Sequence, residues 1–94
     1  MLYAAKCYWP GVIQADLDQV ARRALQADLA ASTGTVTYLG SLLFAADDLV
    51  LCLFCGPSRA AVIAASDRLG IPRERLMDSA WLNPHQPSPE GPWQ

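Results

Sequence analysis

The chain has 94 residues, 52% of them hydrophobic and only 17% charged, with a net charge of -2. That is one domain, apolar for its size, and the excess calls for cover by another chain or a ligand. The acidic balance and the scattered Lys and Arg exclude the footprint of a nucleic-acid binder and a polybasic membrane patch.

No apolar run approaches the roughly 18 residues of a membrane span. The opening stretch, MLYAAKCYWPG, has no basic segment ahead of its apolar run, and Lys6 interrupts that run, so it does not read as a signal peptide. The expectation is a cytoplasmic protein with reduced thiols. Three cysteines, an odd number, exclude a full disulfide framework.

In chain order, residues 2–9 (LYAAKCYW) read as a strand stopped by Pro10-Gly11. Ile13, Leu17, Val20, Ala21, Ala24 and Leu25 then recur at helical spacing. Asp16 followed by Gln19 suggests a capping box, and Gly34 in STG marks the helix end. TVTYLGSLLF (35–44) and LVLCLFC (49–55) predict two strands joined by the turn AADD, an antiparallel hairpin. The next helix is well punctuated, with Ser58 as N-cap, Gly70 at its end and Pro72 beyond, and Ala61, Val62, Ala65 and Leu69 on its apolar face. A last strand is placed around Leu76 to Leu82, inside a single domain of residues 1–82. Residues 83–94 form a Pro-rich tail that holds the lone histidine, His85, read as a surface group.

The order β-α-β-β-α-β is the α+β ferredoxin-like pattern, a four-stranded antiparallel sheet with two helices on one face. Its other face should alternate with polar residues, yet both faces here are apolar. Val50, Cys52 and Phe54 alternate with Leu49, Leu51, Leu53 and Cys55. In the preceding strand, Val36, Tyr38, Leu42 and Phe44 are expected to oppose Leu39 and Leu43. The simplest cover for the second face is another copy of the same sheet, a homodimer.

The stretch LVLCLFCGPS contains Cys-x-x-Cys, but a strand has a side-chain period of two. Cys52 and Cys55 therefore point to opposite faces and do not form a redox or metal pair. Asp47 and Asp48 suit a turn. Asp16, Asp18 and Asp28 suit a solvated helix face, and Arg73, Glu74 and Arg75 a charged turn. No Ser-His-Asp, Cys-His or phosphate-loop motif is present.

The segments LYAAKCYWPG and GTVTYLGSLLFAADDLVLCLFCGPSRAAVIAASDRLGIPRERL resemble a bacterial family of small ferredoxin-like domains of unknown function that includes a nickel-binding protein. The resemblance rests on Trp9-Pro10-Gly11, Val36 to Ser41, Asp47-Asp48, Cys52 to Phe54, Pro57-Ser58, and Gly70-Ile71-Pro72 with Leu76, over about residues 1–80. It implies nickel as a possible cofactor. Many members carry a histidine late in the second helix, where this chain has Ala65 and Ser66.

Three readings follow. The first is a non-catalytic homodimeric module that binds a small apolar molecule or a protein partner, without cofactor, in a pocket drawn from Tyr3, Cys7, Trp9, Tyr38, Cys52, Phe54 and Trp81. The second is a cofactor-independent enzyme of monooxygenase, isomerase or cyclase type, with Tyr38 as hydrogen-bond donor and Ser41 as orienting hydroxyl. The third is transition-metal binding through Cys7 and Cys52, brought together by adjacent strands.

Overall fold

A computed structural model describes residues 1–27, 30–31 and 34–84. The elements in order are β1 (Leu2–Tyr8), α1 (Gln14–Gln26), β2 (Ala30–Ala31), β3 (Gly34–Thr35), β4 (Thr37–Phe44), a 3-10 turn (Ala45–Asp47), β5 (Leu49–Cys55), α2 (Arg59–Leu69) and β6 (Arg73–Ser79). Four antiparallel strands form one sheet in the order β4-β5-β1-β6, and β2 and β3 form a short separate hairpin. This is the expected ferredoxin-like α+β fold, with the hairpin as an addition between α1 and β4.

Some boundaries differ from the sequence reading. Helix α1 ends at Gln26, well short of Gly34, and its cap residue Ala27 is already extended. The α1 start also moves: Ile13 is the N-cap residue, and Asp16 is the third residue inside, accepting from the Ile13 N–H at 2.9 Å. The first-turn carboxylate satisfies one orphan donor there, so Asp16 belongs to the cap and not to a solvated face. Strand β6 begins at Arg73 and ends at Ser79, three residues earlier at each end than the sequence suggested. Asp28 and the tail from His85 onward lie outside the described residues.

Helix α2 follows its punctuation. Ser58 Oγ accepts from the Ala61 N–H at 3.2 Å, and Gly70 closes the helix in the left-handed region at φ 67°. The turn before β5 works harder than its composition suggests. Asp48 takes a left-handed conformation, its carbonyl accepts from Trp9 N at 2.7 Å, and its Oδ1 accepts from Gly11 N at 3.1 Å. One turn residue thus ties the β1–α1 loop to the start of β5.

The core lies between the helices and one sheet face, where Tyr3, Ala5, Cys7, Val50, Cys52, Phe54 and Leu76 meet Val20, Ala61, Val62, Ala65 and Leu69. The opposite face carries Leu39, Leu42 and Phe44, which are 55%, 51% and 41% exposed, with the half-buried Leu49, Leu51 and Leu53. The two-sided apolar pattern expected for β5 is therefore real.

In β4 the expected alternation fails. Tyr38 pairs with Phe54 and Gly40 with Leu53, so Leu39 is an extra residue in the strand. This bulge shifts every later side chain by one. Ser41 and Leu43 join Tyr38 on the helix face, opposite Cys52 and Val50, while Leu42 and Phe44 turn to the open face. Gly40 absorbs the irregularity at φ 132°, a conformation that other residues rarely adopt.

Gly40→Ala is expected to destabilise the domain by about 1–3 kcal/mol through backbone strain alone, since open space surrounds the position. Urea unfolding checks this, and an unchanged midpoint would show that the bulge does not depend on the glycine.

Candidate functional site

The bulge sets the site. Tyr38 and Ser41 are three residues apart, a spacing that regular pleating sends to opposite faces, yet here Tyr38 Oη and Ser41 Oγ are 2.5 Å apart. Ser41 Oγ in turn donates to Cys52 Sγ at 3.2 Å, across the β4–β5 pair. A hydroxyl has one proton to give. With the Ser41 proton on Cys52, the Tyr38 proton goes to Ser41, and the chain runs Tyr38 to Ser41 to Cys52.

Cys7 adjoins this chain from β1, where Ala5 faces Cys52 and Cys7 faces Val50. Both thiols are fully buried. The Cys7 proton has two acceptors, the Cys52 sulfur and the Ala5 carbonyl, the latter at a long 3.7 Å. The two cysteines consequently titrate apart. The hydrogen bond to Cys52, reinforced by burial, pushes the Cys7 thiol far above the ordinary thiol range. The same hydrogen bond pulls Cys52 down against its own burial, with Ser41 helping. Burial pushes Tyr38 up, with a smaller lowering from Ser41, so Tyr38 stays neutral at physiological pH.

In front of the chain lies a cleft of about 380 Å³ between α1 and β4, lined by Gln14, Leu17, Asp18 and Ala21 on one side and by Tyr38, Gly40, Ser41 and Leu43 on the other. The four α1 positions form one stripe at helical spacing. The Tyr38 ring packs on Phe54 with centroids 5.6 Å apart and planes tilted by 55°, which fixes its orientation.

The expected pocket residues thus separate. Tyr38 and Ser41 line the cleft. Cys52 and Phe54 stand directly behind them, and Cys7 is one strand further. Tyr3 is buried in the core, and Trp9 is half-buried against it. Trp81 is 82% exposed beyond the end of β6 and walls nothing. The cleft lies on the helix-bearing side of the sheet, between α1 and β4. The α1 contribution, Gln14, Leu17, Asp18 and Ala21, was not foreseen. The bulge that brings Ser41 to this side did have a signal, Gly40, an isolated glycine inside a strand.

Arg73 was assigned to a charged turn. Instead it opens β6 and reaches the helix side, donating to Ser66 Oγ, to the Ile63 carbonyl at 3.2 Å and to Asp67 at 2.9 Å. Its positive charge slightly opposes the upward shift of Cys7.

No family model and no curated protein matches the chain. Among solved structures, the crystal structure of SCO4226 from Streptomyces coelicolor A3(2) is similar, with a TM-score of 0.73 at 18% identity over 88% of this chain and 100% of that one. A likeness at that identity shows the fold alone.

The donor set also bears on nickel. Cys7 and Cys52 do meet, as adjacent strands allow. Among the described residues, however, no group of three or more His, Cys, Asp or Glu gathers anywhere. Two buried thiols beside two hydroxyls fall short of a closed thiolate or imidazole site, so these residues do not fit a resident metal.

Ser41→Ala is expected to raise the titration midpoint of Cys52, because the hydroxyl that favours the thiolate is gone. Carbon-13 NMR of the labelled cysteines reads this directly. In the wild type Cys52 should titrate before Cys7, and the reverse order would contradict the hydrogen-bond chain.

Proposed function

We propose that the protein is a non-catalytic binding module that pairs with a second copy through its leucine-rich sheet face and holds a small, largely apolar molecule in the α1–β4 cleft. The observation that carries this reading is the division between the two faces. Large aliphatic and aromatic side chains stand exposed on one, while a satisfied hydroxyl–thiol chain backs a cleft on the other. The cleft volume falls within the range of roughly 300–1,000 Å³ typical of small-molecule sites, with few polar groups to orient a guest.

The charges on the open face restrict how two copies meet. Lys6 and Arg75 are direct cross-strand partners there. A second copy must not set these cations against its own, so the two-fold axis belongs nearer β5 and β4, where Leu42, Leu51 and Phe44 lie.

The burial of Cys52 favours binding over catalysis. The thiol sits behind Ser41 and has no exposed surface, so a guest in the cleft meets hydroxyls before sulfur. An enzyme of the cofactor-independent type would have to work through Tyr38 and Ser41 alone.

Leu42→Glu should leave the fold intact, since the side chain is half-exposed in the single chain, and should abolish the dimer. Sedimentation velocity over a concentration series tests this, and a wild type that sediments as a monomer throughout would overturn the pairing. For the cleft, titration of nitrogen-15-labelled protein with 2-phenylethanol should shift the amide resonances of Gln14, Leu17, Gly40 and Ser41. Tyr38→Phe should weaken that binding by about five- to tenfold, the worth of one hydrogen bond. Shifts confined to the open sheet face would mean that the cleft is not the site.

A further inference from the structure

The hydroxyl chain has a direction, and the direction decides what the cleft offers a guest. The Ser41 proton is spent on Cys52 at 3.2 Å, and the Tyr38 proton is spent on Ser41 at 2.5 Å. Tyr38 Oη therefore turns a lone pair, not a proton, toward the cleft. A guest that only accepts hydrogen bonds would have to draw the Tyr38 proton away and leave the Ser41 oxygen without its donor.

The opposite wall agrees in sign. Among the lining residues there is one carboxylate, Asp18, one amide, Gln14, and no Lys, Arg or His. Asp18 has no ion-pair partner among the described residues. Two arginines lie near on α1. Arg22 is one turn beyond Asp18 and is not among the lining residues, and Arg23 is held away by donating to the Leu69 carbonyl at 2.7 Å. The rest of the lining is aliphatic or glycine, plus the Tyr38 ring, whose face attracts cations.

We infer that the α1–β4 cleft selects a small, largely apolar amine in its ammonium form, whose N–H donates to Tyr38 Oη and whose charge faces the Asp18 carboxylate. This rests on the reading of the cleft as a small-molecule site and adds the chemical class of the guest. The Asp18 carboxylate is exposed at the lip, so its contribution is that of a solvent-screened pair, about three- to fivefold in affinity.

The experiment is a matched series, 2-phenylethylamine, 2-phenylethanol and phenylacetate, each titrated into nitrogen-15-labelled full-length protein while the amides of Gln14, Leu17, Gly40 and Ser41 are followed. The expected result is that the amine binds about three- to fivefold more tightly than the alcohol, with phenylacetate weakest. Asp18→Asn should bring the amine to parity with the alcohol, and the spectrum of the variant confirms that the fold is kept. If the alcohol or phenylacetate binds in the cleft as tightly as the amine, the selectivity is overturned and the small-molecule reading stands. If none of the three shifts the cleft residues, the small-molecule reading itself falls and the selectivity with it.

Discussion

The site depends on one extra residue in an edge strand. Because side chains alternate along a strand, a single inserted residue exchanges the faces of everything after it. Leu39 is that residue, and Gly40 supplies the backbone conformation that the insertion needs. Without it, Ser41 and Leu43 would point away from the helices and Leu42 and Phe44 would point into them. Ser41 would then be out of reach of both Tyr38 and Cys52. The hydroxyl chain and the apolar composition of the open face are two results of the same slip.

The slip also explains which part of the site was legible in the residues and which was not. Tyr38, Ser41, Cys7 and Cys52 stand out by chemistry, as hydroxyls and thiols in otherwise aliphatic strands, and the structure brings these four together. The face of Ser41 could not be read, because period-two counting carries across a bulge without noticing it. The α1 wall was missed for another reason. Gln14 and Asp18 look like an ordinary solvated helix face, and only the packing of α1 against β4 shows that this stripe borders a cleft. The β-α-β-β-α-β order, by contrast, follows from strong local punctuation at Pro10-Gly11, Ser58 and Gly70. The ends of α1 and β6 lack such signals, and there the boundaries moved. Arg73 was misjudged because charge alone suggested solvent, while its hydrogen bonds to α2 are tertiary.

The two sheet faces differ in side-chain size as well as in polarity. Around Tyr3, Phe54, Leu69 and Leu76 the core is filled by small residues, Ala5, Cys7, Val50 and Cys52 on the strands and Ala61, Val62 and Ala65 on α2. Small residues let helix and sheet approach closely. The approach is tight at Gly56, where an added Cβ would lie 2.9 Å from Val62 Cγ2 and 3.2 Å from Val36 Cγ2. A core of such residues buries little apolar area per side chain, and a short chain has little other area to bury. The leucines that would enlarge it stand on the other face. Pairing of two sheets would bring Leu42, Leu51 and Leu53 out of water and supply burial that the single chain lacks, which is the energetic case for the proposed dimer.

Polarity inside this fold is confined to a few places and satisfied there. Ser66, the buried polar residue in the core, donates to the Ile63 carbonyl at 2.8 Å and accepts from Arg73. Among the described residues no buried side-chain nitrogen or oxygen lacks a partner. Under that condition a hydroxyl at a cleft wall is not a general-purpose contact, because its donor or acceptor role is already assigned by what lies behind it. Ser41 donates to Cys52, and Tyr38 supplies Ser41 in turn. The chemistry offered at the cleft wall is thus set by a sulfur atom behind it, and for the guest proposed above a buried cysteine with no contact to it would act on specificity by fixing the direction of the protons in front of it.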